Sequence, residues 1–374
     1  MTHRQRAVAA MRGQPVDRIP FIARMDLWHS YCRNTGTLPS TYKDGDLWRL
    51  QRDLGVGIFG FGAWSGSFFR LEYAGTEVVK TGDNGVTVTE YHTPRGVVVE
   101  REKMAEELKE AAGTGARIEF PFKGPADYDA LQFLIENARV VDCTAEYSAT
   151  VDSIGGDGLA LPWAGHLPAH QLMLRYMGYE QFYCELAENP RRVHALLEPL
   201  TDQYRRVLAL AKNCSADAVE AGGNYDEDMT PPPVFDRWFA PLYREARDVL
   251  DSTGKALVVH GDGEMRTLLC RLRDCGVRVV EAVTPAPMTS IDIGEVRRLW
   301  GNNVCLWGGI ASIMLTPAYT DSEFDGHLES LFRAVAPGTG FILGFGDNVP
   351  TDALFRRIER AASFWRERGA YPLG

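Results

Sequence analysis

Ala256-Leu257-Val258-Val259-His260-Gly261-Asp262 is an unbroken apolar run that stops at an imidazole, a glycine and a carboxylate. A short continuous run of this kind suits a strand buried on both faces, as in a parallel sheet. The pattern returns where Phe341-Ile342-Leu343 leads into Gly346-Asp347-Asn348-Val349-Pro350. Residues two apart on an extended chain point to the same side. His260 and Asp262 therefore reach one point together, Gly261 leaves the backbone open between them, and Asp347 arrives from a separate strand end. An imidazole and two carboxylates converging on one point suit a divalent metal, zinc first. The competing reading is a solvated loop histidine with two turn aspartates.

Further apolar runs give eight candidate strands, at 18–23, 56–61, 158–163, 218–221, 256–260, 277–283, 304–308 and 340–345. Helical patterns follow at 190–212, with Asn189 as cap and Pro190 at the first position, and at 234–250, 265–274, 292–300, 322–335 and 351–368. Alternation of strand and helix from about residue 157 predicts βαβ units, and eight strands favour a closed (β/α)8 TIM barrel using 1–374 as one domain. An open doubly wound sheet is the alternative, but no Gly-x-Gly-x-x-Gly follows the first strand.

Residues 62–150 break the rhythm between the second and third strands. Within them 76–80, 86–91 and 97–101 read as a small antiparallel meander, turned by Asp83-Asn84-Gly85 and Thr93-Pro94-Arg95-Gly96. Helices are expected at 102–112 and 127–137, the whole forming an insertion over one mouth of the barrel.

With 374 residues, 45% of them hydrophobic, the chain can bury a large core. A formal charge of −10 and the lack of a basic block argue against a nucleic-acid partner. No apolar run reaches the ~18 residues of a spanning helix, so no membrane role is expected. The opening Met1-Thr2-His3-Arg4-Gln5-Arg6 has no apolar stretch after it and is not a signal peptide. Seven scattered cysteines without a Cys-x-x-Cys suit a reduced, cytoplasmic protein.

In a barrel of this class the site lies at the C-terminal strand ends, which here carry a concentration of polar groups. Arg24 and Asp26 follow the first strand, Trp163 and His166 the third, and Glu220, Asn224 and Asp226 the fourth. His260 and Asp262 follow the fifth, Glu281 lies in the sixth, Trp307 in the seventh, and Asp347 and Asn348 follow the eighth. Glu281, Asn224, Glu220 and Asp26 are the catalytic candidates. Arg24, Trp163, His166, Trp307, Asp226 and Asn348 are the substrate-binding ones. Most have a structural alternative: Glu281 in a salt bridge to Arg278 or another arginine, Glu220 likewise paired, Asn224 as a turn residue, Asp226 solvated in an acidic run, His166 and His170 on the surface, and Trp163 and Trp307 simply packed.

Arg4 to Asp17-Arg18-Ile19-Pro20, Asn189-Pro190, Gly254-Lys255 leading to His260-Gly261-Asp262-Gly263, Leu306-Trp307-Gly308-Gly309-Ile310 and Asp347-Asn348-Val349-Pro350 occur in this order. Together they make the chain resemble the uroporphyrinogen decarboxylase superfamily, which includes corrinoid-dependent methyltransferases, over nearly its whole length. The resemblance implies a (β/α)8 barrel with its site at the C-terminal mouth, and a barrel that commonly pairs as a homodimer. The decarboxylases carry Arg-Gln-Ala-Gly-Arg after the Arg-x-Pro. Here the segment is Arg24-Met25-Asp26-Leu27-Trp28-His29, with one arginine kept. The methyltransferase branch has a His-x-Cys zinc motif and a later cysteine. His260 keeps the histidine, and Asp262 and Asp347 stand in place of the cysteines. The resemblance thus implies metal-dependent methyl transfer between a small, ether-like methylated substrate and a corrinoid. No Asp-x-His-x-x-Gly is present, so the corrinoid would come on a separate protein. The competing functions are metal-free decarboxylation of a small acid through Arg24 and a carboxylate such as Asp26, a metal-dependent hydrolase or lyase, and a binding protein.

Overall fold

The apolar runs that read as buried strands are strands, and the barrel set lies parallel. The computed structural model describes residues 1–61, 67–105, 109–111 and 115–374. β1 (Ile22–Ala23) and β2 (Gly57–Phe61) precede a block of antiparallel strands: β3 (Phe69–Tyr73), β4 (Glu77–Asp83), β5 (Val86–Thr93), β6 (Gly96–Lys103), β7 (Ala116–Glu119) and β8 (Ala138–Asp142). The parallel set resumes with β9 (Gly158–Leu161), β10 (Ala218–Gly223), β11 (Ala256–His260), β12 (Val279–Val283), β13 (Cys305–Ile310) and β14 (Phe341–Phe345).

Two parallel ladders, β1-β2-β9 and β10 through β14, join at two seams. At one, Trp163 bridges Glu220, the Ala164 N–H donating to the Glu220 carbonyl at 2.7 Å and the Glu220 N–H to that of Pro162 at 2.9 Å. At the other, Phe21 bridges Leu343 and Arg24 bridges Asn348. The ring of strands is closed, as the (β/α)8 expectation requires.

Strand periodicity then places the polar groups. Ile22, Ala218, Val258, Val279 and Cys305 form one inward-facing apolar cluster. Two residues further along the same strands stand Arg24, Glu220, His260, Glu281 and Trp307. The helix His3–Met11, capped by Thr2, puts Ala7, Ala10 and Met11 into the same cluster, and the Arg4 N–H reaches the Gly156 carbonyl just ahead of β9. That helix closes the N-terminal end of the barrel, so the polar layer faces the other end.

Several expectations need correction. The first strand is only two residues long: Pro20 has no N–H to donate, and Arg18 pairs with Ala370 instead. The expected 234–250 helix is two helices, Pro232–Trp238 and Ala240–Asp251, because Pro241 cannot continue an i→i−4 ladder. Residues 102 and 103 belong to β6 rather than to a helix; of the rest of that expected helix, 106–108 and 112 lie outside the described residues. The last helix starts at Phe355. Asn189 occupies its predicted cap position, but its amide donates to Glu185 and caps nothing. The meander is borne out and gains a fourth strand, β7, while β3 and β8 pair with each other.

Candidate functional site at the barrel mouth

Three neighbouring strands build the centre. In the parallel register His260 of β11 is opposite Glu281 of β12. Paired residues in a sheet point the same way, so the Glu281 carboxylate meets the ring, with Oε2 2.6 Å from His260 Nδ1. The alternative partner of Glu281, Arg278, pairs with Asp251 instead. His260 Nε2 faces outward, 3.5 Å from Asp262 Oδ2 and 3.8 Å from Asp347 Oδ1. Two-residue spacing thus brings Asp262 to the histidine, and the separate strand end brings Asp347. Gly261 is not an opening to a ligand: a Cβ there would lie 2.5 Å from Val280. At Gly223 (φ +118) a Cβ would lie 2.5 Å from that of His260, so the glycine permits the close approach of β10.

Glu220 completes a buried trio. Ligand-type atoms of Glu220, His260 and Glu281 lie within 4.8 Å of one another. This group, rather than the expected His260–Asp262–Asp347 set, is the tightest clustering of possible metal ligands among the described residues. Burial pushes the Glu220 carboxyl up to about 8, with the nearby Glu281 adding to it and His260 and Arg24 opposing. Burial also works against a charged His260, but Glu281 and Asp262 outweigh it and raise its pKa well above the usual value.

Arg24 braces the outer side. Its guanidinium lies 3.0 Å from Asp347, 3.4 Å from Asp26 and over the Phe61 ring at 5.0 Å. Asn348, with its carboxamide turned to suit its neighbours, donates to Asp26 (3.1 Å) and accepts from Arg24 Nε (3.1 Å). Asn224 donates to Asp262 Oδ2 over a long 3.4 Å. Asn224, Ala282 and Asp347 all have positive φ, at 56°, 57° and 60°. Strained backbone of this kind gathers where side chains must be aimed. Among the described residues five carboxyl groups (Asp26, Glu220, Asp262, Glu281, Asp347) face Arg24 and His260, so the acids outnumber the cations even with Glu220 protonated. Buried Asp262 Oδ1 and Glu220 Oε2 have no hydrogen-bond partner among the described residues. Excess negative charge with unpaired oxygens fits a divalent cation.

The remaining candidates lie elsewhere. Trp307 is sealed in the barrel interior, its ring N–H donating to the Ile22 carbonyl and its face meeting Phe59; it floors the site. Asp226 accepts from the Asp228 and Met229 N–H groups and stabilises its own turn. His170 is not on the surface but fully buried, stacked on Tyr225 at 5.0 Å. Trp163 and His166, ring against ring at 5.0 Å, line a cavity beside the mouth that sequence reasoning missed. Its other walls come from β3 and two helices, which no local pattern brings together.

The family described as Uroporphyrinogen decarboxylase (URO-D) matches residues 91–368. The chain belongs to that family. Among solved structures, this uroporphyrinogen decarboxylase family member is similar to a methyltransferase from Methanosarcina mazei, with TM-score 0.62 and 14% identity over 98% of this chain and 99% of the other. That likeness shows the shared fold. No curated protein matches the sequence. No helix among the described residues is long and apolar enough to cross a membrane.

Proposed function

We propose that this protein is a metal-dependent methyltransferase, moving a methyl group between a small ether-like substrate and a corrinoid carried on a separate protein. The supporting observation is the imidazole of His260. Glu281 anchors Nδ1 at 2.6 Å, while Nε2 faces Asp262 and Asp347. A metal-bound histidine ordinarily has its second nitrogen held by a carboxylate or carbonyl in this way. The Nδ1 side is closed by a hydrogen-bond distance, so His260 Nε2, Asp262 and Asp347 would hold the metal, with Glu281 behind and Glu220 beside them. A divalent cation held there, zinc first, would supply positive charge at the oxygen that the methyl group leaves. Carboxylates in place of thiolates widen the range of acceptable metals.

The protein's own groups hold the geometry. Arg24 and Asn348 fix Asp347 and Asp26, and Asn224 and Glu220 orient the substrate. The methylated donor and the corrinoid carrier meet at the mouth, with the inserted strands β4 to β7 as part of the carrier's landing surface. The M. mazei neighbour, a methyltransferase by description, supports this branch over decarboxylation. So does Arg24, whose guanidinium is engaged by Asp347 and Asp26 rather than free for a substrate carboxylate.

Elemental analysis of protein purified without chelator or affinity-tag metal is the test. The expected result is about one metal per chain in the parent and none in a folded Asp262→Ala/Asp347→Ala variant, followed by demethylation of methylated substrates only when a corrinoid protein is present. Absence of metal from both proteins, with none taken up on addition, would sink the metal reading and favour decarboxylation.

A further inference from the structure

A cavity of about 510 Å³ opens between β3 and the loop after β9, beside the mouth. Phe69, Tyr73, Trp163, His166, Arg175 and Tyr204 are among its walls, which are more apolar than polar. Arg175 lies in a π-helical turn, Leu172–Tyr176, a distortion that recurs at functional sites. The turn is built to last: Arg117 donates to the carbonyls of Leu174 and Arg175 at 3.0 Å each. Yet the Arg175 guanidinium itself makes no hydrogen bond or ion pair with any described residue. The other arginine in the wall, Arg70, is paired with Glu72. Nearby Glu100 is held by Arg117 and by the Tyr91 hydroxyl. Buried Tyr204 Oη and His166 Nδ1 also lack a hydrogen-bond partner among the described residues. A guanidinium left without a partner among the described residues, in a half-buried apolar wall, is costly unless an anion meets it.

We propose that this cavity binds an organic acid, its carboxylate on Arg175 and its flat apolar body against Trp163. Arg presents a planar fork that matches a carboxylate with two parallel hydrogen bonds. Aromatic walls suit a flat ring, and Tyr204 and His166 supply the remaining polar contacts. The proposal stands on the cavity alone and does not require a metal at the mouth.

Calorimetric titration with 2-naphthoate and its neutral isostere 2-naphthamide tests it. The acid should bind the parent protein at least about tenfold more tightly than the amide, as a charge-assisted pair requires. Arg175→Gln should abolish that difference, and the Asp262→Ala/Asp347→Ala variant should keep it. Equal affinity for acid and amide, or no binding of either, would overturn the proposal. So would a difference that survives in Arg175→Gln, or one lost in the folded Asp262→Ala/Asp347→Ala protein, since the acid would then sit at the mouth. The acid–amide comparison on the parent decides the matter even where Arg175→Gln does not fold.

Discussion

Glu281 shows what a single residue can reveal. A carboxylate inside Val279-Val280-Glu281-Ala282-Val283 had to find a partner, because an isolated buried charge is too costly. The register supplies His260, not the arginine closest in sequence. Glu281→Gln keeps the shape but removes the charge behind the imidazole. Metal affinity should fall ~10- to 100-fold, the typical cost of losing an outer carboxylate partner, with little change in thermal unfolding of the metal-free protein. Equilibrium dialysis beside a melting curve checks this. Wholesale unfolding with normal metal affinity in the folded fraction would make the pair structural. The convergence of His260, Asp262 and Asp347 was legible in two-residue spacing and strand ends. Asp226 and Trp307 could not be placed, because the same residue types also serve turns and barrel interiors.

At the scale of elements, local chemistry marks where helices begin. Thr320 accepts from the Glu323 N–H while Glu323 accepts from the Thr320 N–H, a reciprocal cap on Asp321–Val335. Thr320→Ala should cost about 1 kcal/mol, read as a lower urea midpoint at unchanged slope; an unmoved midpoint would mean the helix is held by packing alone. Asp292 caps Ile293–Trp300 in one direction only, its carboxylate accepting from the Glu295 N–H. Where prediction erred, a backbone property competed with side-chain periodicity. Pro241 divides one apolar stripe into two helices, and Pro20 shortens the first strand. The π-turn at Leu172–Tyr176 is not foreseen in the sequence, since no local pattern marks it.

At the scale of the whole molecule, burial sets a pH dependence. His170 is wholly enclosed by Tyr225, Phe239 and Tyr179, and burial pushes its pKa from 6.5 down to about 3. The unfolded chain therefore takes up a proton below about pH 6.5 that the folded protein refuses. The contribution is complete above that value and is lost as pH falls toward the folded pKa. By ~pH 5 His170 alone should have withdrawn on the order of 2 kcal/mol. Urea unfolding at ~pH 7.5 and ~pH 5 checks this: a folded His170→Gln variant should lose less stability over the interval than the parent, and equal losses would refute it. His260 acts in the opposite sense, since a raised pKa favours the folded state at low pH and loses that advantage as pH rises through the folded value.

The parallel strands, their succession along the chain and the polar residues at their ends follow from local pattern, because continuous apolar runs and two-residue spacing are properties of short segments. Which of those ends meet follows from the folded arrangement. It paired Glu281 with His260 through register, brought Glu220 into their contact, enclosed Trp307 in the interior, and formed the Arg175 cavity from β3, the β9 loop and two helices. The reason is physical. Register and closure arise from the packing of distant segments against one another, and no window of sequence contains both sides of such a contact.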